Sequence, residues 1–240
     1  MKWISSGDLE NWALGKDCES ELPLVIRRLI TANLGKNSIS KMFFPAGKDV
    51  NRAGYDGILE SKEETQYVPQ GLSVWEIGTG NNPKKKADDD YKKRTTNPLE
   101  VDPSETTFIF VTPRSWPGAK EWVDSKKCMG PWMDVRAYDS SILEQWIGIC
   151  PAIGYWLATK LHKYPMKGVI ALDDWWEKWK DSTKPAISPV LLKAGRASQV
   201  ESTINWLNSG PCTKNVQAQT KDEAIAFLAS VISTMNERDM

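Results

Sequence analysis

Two carboxylates and a lysine carry the chemistry this chain could perform. Asp56 stands in the run Arg52-Ala53-Gly54-Tyr55-Asp56-Gly57-Ile58, and Glu76 in Val74-Trp75-Glu76-Ile77-Gly78-Thr79. Each run is short and β-like. The lysines Lys84, Lys85 and Lys86 follow at once. Carboxylate oxygens suit a hard divalent cation, which activates water and neutralises charge developing on a phosphate. A lysine adds positive charge where the transition state gains negative charge. Acids on neighbouring strands with a lysine on the next helix therefore point to metal-dependent phosphodiester hydrolysis.

Each of these residues has a plainer reading. Gly54 and the pair Asp56-Gly57 are ordinary turn punctuation, although the following Ile58-Leu59 places Asp56 at the start of a strand. Alternation puts Val74, Glu76 and Gly78 on one face and Trp75 and Ile77 on the other. A carboxylate inside an apolar strand is costly unless paired or metal-bound; the alternative is an edge strand with a solvated face. Gly78 lets a backbone or ligand come close. Along Lys84–Arg94 the charges change sign about every turn, which also describes a solvated, salt-bridged helix. Ala87 and Tyr91 mark its packing face. Lys86 shares a face with Asp90 and is the lysine expected to point back at the acids.

The elements around these residues read as an α/β protein. Ser5 or Ser6 caps a first helix to about Lys16. Glu19–Asn33 is amphipathic, with Leu22, Leu24, Val25, Leu29 and Ile30 in its apolar stripe. Strands are expected over Ile39–Phe44, Tyr55–Glu60 and Leu72–Ile77, then the charged helix Lys84–Thr95. Thr106–Thr112 is a continuous apolar run, as in a central strand buried on both faces. A helix over Ser115–Lys127, a strand over Met133–Tyr138 and helices over Ser140–Ile149 and Pro151–Leu161 complete a mixed central sheet flanked by helices. Residues 1–165 thus form one domain. Residues 166–240 read as a linker and a partial second α/β segment: a tryptophan-rich stretch Ala171–Asp181, a proline-punctuated linker, a helix Gln199–Leu207, a strand at Asn215–Gln219 and a helix Lys221–Met235. The charged end suggests that the natural chain continues.

Composition removes several function classes. The chain has 31 basic and 31 acidic side chains, so nucleic-acid contact must come from a local patch. Zero net charge also fits a part of a larger assembly. Its 12 tryptophans suit core packing, with a share at interfaces. Cys18, Cys128, Cys150 and Cys212 form no CxxC pair, which argues against a zinc ribbon or redox motif. His162 is the single histidine, which disfavours histidine triads and HExxH peptidases. Neither nucleotide-binding glycine loop is present. No apolar leader or membrane-length run appears, so a cytoplasmic protein with reduced thiols and no membrane partner is expected.

Taken together, these segments resemble the PD-(D/E)XK nuclease superfamily, and within it the Mrr-like restriction endonuclease domains. The resemblance covers about residues 1–165. It rests on Gly54-Tyr55-Asp56-Gly57, Trp75-Glu76-Ile77-Gly78-Thr79, Lys86-Ala87 with Asp90-Tyr91-Lys92-Lys93-Arg94, and the strand end Phe110-Val111-Thr112-Pro113-Arg114. It implies an αβββαβ core. It implies Mg2+, with Mn2+ as substitute, held by Asp56, Glu76 and a backbone carbonyl near Ile77, and Glu21 as an accessory helix carboxylate. The substrate implied is double-stranded DNA, with Arg52, Lys92, Lys93 and Arg94 on its backbone. The family lysine stands two residues after the second acid, where this chain has Gly78; the resemblance therefore assigns that role to Lys86 on the following helix. Such domains cut duplexes as homo-oligomers, dimers or tetramers. Similar ones stand at the N-terminus of bacterial antiviral STAND NTPases, which implies an antiphage effector followed by NTPase and sensor domains. The alternatives are a catalytically inactive nucleic-acid-binding or assembly module, and an interaction module whose acids lie too far apart to share a cation.

Overall fold

A computed structural model describes residues 3–50, 53–163, 169–209 and 213–238. The chain divides into two compact units, residues 1–165 and 166–240.

The first unit opens with α1 (Ser6–Trp12), whose N-cap Ser5 forms a capping box with Asp8. Helix α2 (Asp17–Asn33) buries Leu22, Val25, Leu29 and Ile30 of the expected stripe and Ile26 beside them, whereas Leu24 is only half-buried. Strands β1 (Ile39–Phe43), β2 (Gly57–Ser61) and β3 (Gly71–Ile77) form an antiparallel meander, with an irregularity in β1 between Ile39 and Lys41. Helix α3 (Pro83–Thr96) then crosses to β4 (Thr106–Val111), and α4 (Ala119–Met129) to β5 (Asp134–Tyr138). Both β4 and β5 run parallel to their neighbours, so the sheet has the order β1-β2-β3-β4-β5 and is mixed. Helices α5 (Ser140–Ile149) and α6 (Pro151–Lys160) close the unit. The sequence α-βββ-α-β is the expected core.

Strand alternation builds two cores. On one face Leu59, Trp75, Ile109, Val111 and Tyr138 pack with α1, α2, α5 and α6. On the other, Val74, Phe108, Phe110, Val135 and Ala137 pack with Ala87 and Tyr91 of α3 and Trp122 of α4. Every residue of β4 is buried, as its unbroken apolar run requires. The tryptophans do much of the filling: Trp75 and Trp146 are fully buried, and Trp75 lies within aromatic contact of Phe44, Tyr138 and Trp146.

Two expectations are corrected. Helix α4 begins at Ala119 rather than Ser115, because Pro117 and Gly118 precede it and Trp116 turns into the core instead. The second unit is helical rather than α/β among the described residues. It comprises α7 (Leu172–Lys180), α8 (Pro189–Lys193), α9 (Ala197–Asn208) and α10 (Lys221–Arg238). The expected strand at Asn215–Gln219 does not form; the segment has no regular secondary structure. Trp176, Ala226 and Ala229 centre a small core with Trp175 and Trp179 against it.

Candidate active site

The meander and α3 converge on the two acids. Asp56 ends the loop that enters β2. Phe44 lies so close over the next residue that a Cβ on Gly57 would stand 2.1 Å from its ring, so only glycine permits this entry. Glu76 sits next to the end of β3, on the α3 face, and its side chain is 4% exposed. The β2–β3 pairing sets Gly57 opposite Trp75 and so brings Asp56 beside the end of β3. There the Ile77 N–H donates to Asp56 Oδ2 at 2.7 Å. Ile77 is not engaged with β4 at this group, since the neighbouring Gly78 N–H takes Val111. The alternation that turns the Ile77 N–H towards Asp56 turns its carbonyl the same way.

Arg94 organises the interior. It is 4% exposed. Its Nε donates to Glu76 Oε1 and its Nη2 to the Gly54 carbonyl, two residues before Asp56. The guanidinium also lies 4.5 Å from the centre of the Tyr55 ring. One side chain thereby ties together both acid-bearing segments. Each acid has one oxygen anchored: Asp56 Oδ2 by Ile77, Glu76 Oε1 by Arg94. The backbone N–H of Ile77, the residue after Glu76, holds Asp56 Oδ2, so the two acid-bearing segments adjoin and the reading with widely separated acids does not describe this cluster.

Lys86 lies over Gly78. A Cβ on Gly78 would meet Lys86 Cγ at 2.7 Å and Phe110 Cζ at 2.9 Å. The stem of Lys86 thus fills the space that a side chain two residues after Glu76 would claim. Its ammonium bonds Asp90 Oδ1 at 2.8 Å. Asp90 is itself buried, and its Oδ2 has no hydrogen-bond partner. Since Lys86 is 47% exposed on its side chain, the cluster opens to solvent on the lysine side.

Burial and crowding of like charge govern protonation. Burial, then the neighbouring Asp56, pushes Glu76 up to about 8 despite its bond to Arg94. Burial also raises Asp56, against the opposing Ile77 N–H and Lys86. Burial acts to lower Lys86, but the bond to Asp90 and the charges of Asp90, Asp56 and Glu76 outweigh it, and its pKa rises. Two carboxyls held together that resist double ionisation are a pair in want of a cation or a shared proton.

A divalent cation fits this donor set in a limited form. The oxygens outside the anchoring bonds, Oδ1 of Asp56 and Oε2 of Glu76, together with the Ile77 carbonyl, are hard ligands of the right chemistry. Among the described residues no group of three or more His, Cys, Asp or Glu is placed to hold a metal. The accessory role expected of Glu21 finds no support here: its carboxylate pairs with Lys160 of α6. Arg94 requires a correction. It was expected on the DNA backbone, but it is buried and committed to Glu76 and Gly54, so it cannot reach a phosphate. Lys92 and Lys93 are exposed on α3, and Arg52 lies outside the described residues. Asp90 belongs to the cluster although its spacing from Lys86 suggested only a helix-surface pair. Its position on the Ala87-Tyr91-Arg94 stripe was the available signal.

Further along, Arg114 locks the rim: it donates to Thr79 O at 2.9 Å and to Ala13 O at 2.7 Å, joining the chain after β3 to α1. Two clefts lie elsewhere. One of about 540 Å³ runs along β5 between Lys120, Lys127 and Arg136, and one of about 500 Å³ lies among α9, α10 and residues 214–218. Neither includes Asp56, Glu76 or Lys86. Among the described residues no helix is long and apolar enough to cross a membrane. No family model, curated protein or solved structure matches this chain.

Proposed function

We propose that residues 1–165 are a Mg2+-dependent endonuclease unit acting on double-stranded DNA, and that the protein is a cytoplasmic effector of antiphage defence working as a homo-oligomer beside NTPase and sensor domains. One observation carries the catalytic part of this reading: the stem of Lys86 occupies the space over Gly78, beside the paired carboxyls of Asp56 and Glu76. The residue types, their order along the chain and the α-βββ-α-β core support the same reading through the resemblance to PD-(D/E)XK nucleases.

Asp56, Glu76 and the Ile77 carbonyl would hold the cation. When bound, it supplies a polarised water and charge neutralisation at the scissile phosphate. The protein does the rest. Ile77 and Arg94 each fix one oxygen of an acid, which leaves the other oxygen of each directed without reorganisation. Lys86, held by Asp90, presents an ammonium at the open side of the cluster, where a phosphate oxygen gains charge. Lys92 and Lys93, exposed on the same helix, attract and position the duplex backbone. A duplex lies across a surface, so the absence of these residues from either cleft is compatible with the reading.

One observation favours a second reading, an inactive nuclease-like module. Arg94 already supplies Glu76 with a cation. Supercoiled plasmid and duplex RNA, each incubated with the chain in Mg2+ or in EDTA, separate the two. Metal-dependent linearisation of the plasmid alone is the expected result. Binding without cleavage, at concentrations that force association, would establish the inactive module.

A further inference from the structure

Asp90 is the unexplained member of the cluster. It is 5% exposed, Lys86 is its one side-chain hydrogen-bond partner among the described residues, and its buried Oδ2 has none there. A buried acceptor left unpaired calls for a reason. Tally the charges around the acids. Asp56 and Glu76 carry two negative charges when ionised; Lys86 and Arg94 carry two positive ones. Those four groups alone cancel, and a cancelled cluster has no electrostatic use for a divalent ion. Asp90 sets the balance at one net negative charge. It does so from the position that matters, 2.8 Å from the Lys86 ammonium. Its field also reaches Asp56 and Glu76.

We propose, on the strength of the metal-dependent reading above, that Asp90 is a charge-compensating residue that allows a lysine on α3 to stand beside the two metal-holding acids without repelling the cation. A lysine arriving from the helix brings its charge close to the site; the helix supplies the counter-charge one turn later, at the i+4 position. In this role Asp90 is not itself a ligand. It acts through Lys86 and through the field at the site.

Mn2+ binding, followed by the loss of the free-ion electron paramagnetic resonance signal, tests this on the whole chain without reference to cleavage. The variants are Asp90→Asn, Lys86→Met and the double variant, each checked for wild-type circular dichroism. Asp90→Asn should weaken Mn2+ by about tenfold or more, since it removes the site's net negative charge. Lys86→Met should bind at least as tightly as wild type. The double variant should regain most of the affinity lost in Asp90→Asn, because the charge balance returns. A merely structural Asp90 would give no such rescue, and that result overturns the inference. So would an Asp90→Asn variant binding Mn2+ like wild type while Asp56→Asn and Glu76→Gln abolish binding; the metal site would then survive without this role for Asp90. If wild type binds no Mn2+, the metal-dependent reading fails and the inference falls with it.

Discussion

Replacing Gly78 by alanine is a small change with two separable consequences. The added methyl would stand 2.7 Å from Lys86 Cγ and 2.9 Å from Phe110 Cζ, both inside any normal carbon–carbon contact. The two neighbours differ in their ability to yield. Lys86 is a flexible chain with 47% of its side chain exposed, so it can swing away at little cost. Phe110 is fully buried, with Trp116 and Trp122 against it at 5.8 and 6.5 Å between ring centres, and cannot withdraw freely. Overpacking of this kind costs about 1–3 kcal/mol. For a protein of this size that lowers Tm by roughly 2–4 °C per kcal/mol. Thermal melts should therefore fall by several degrees, while plasmid cleavage should drop far more than stability does, since the displaced lysine no longer lies over β3. Lys86→Ala removes one of the two clashes. In the Lys86→Ala background the same substitution should thus cost less stability, a non-additivity that a double-mutant cycle resolves. A Gly78→Ala protein with wild-type Tm and wild-type cleavage would refute the placement of Lys86 over Gly78 and the role built on it.

Three further outcomes follow from the cluster. Arg94→Met leaves Glu76 buried without its cation, and urea unfolding above about pH 8, where Glu76 is ionised, should show a loss of about 3–5 kcal/mol, the usual result of breaking a buried pair from one side. In metal-free protein, Glu76 is raised from its ordinary 4.5 to about 8; the folded state then holds a proton that the unfolded state has released. The contribution is present below about pH 4.5 and lost as pH rises through about 8, so stability should fall over that window in EDTA, and saturating Mg2+ should reverse the slope by holding the acids ionised. Urea midpoints measured across the window check both signs. Charge reversal at Lys92 and Lys93 should weaken duplex binding equally for unrelated sequences and flatten its salt dependence, with little effect on Tm, because both are exposed.

Much of the fold was readable because burial writes strong patterns. The run Thr106–Val111 is apolar at every position because β4 is covered on both faces, and the stripe of α2 declared its packing side. Glu76 was readable because a carboxylate within an apolar strand needs a reason. Charge on a helix was less legible. Lys84–Arg94 has the composition of a solvated surface, and yet Asp90 and Arg94 are buried, because both lie on the stripe that Ala87 and Tyr91 mark. Local composition pointed outward while the period of the helix pointed inward, and the period decided. Pairing is not local at all. Asn215–Gln219 was expected as a strand, but the described residues of its unit hold no strand to pair with, so it takes no regular secondary structure. The short α8, five residues that begin at the last proline of the Lys184–Pro189 linker, offers too few turns for any period to show.

The most direct measurement is plasmid cleavage in Mg2+ or Mn2+ by the wild-type chain, with association enforced by a fused dimerising coiled coil, beside Asp56→Ala, Glu76→Ala and Lys86→Ala. The account predicts metal-dependent linearisation by the wild type and its loss in all three variants. A wild-type chain that cuts nothing under these conditions, or three variants that cut as well as it does, would contradict the account.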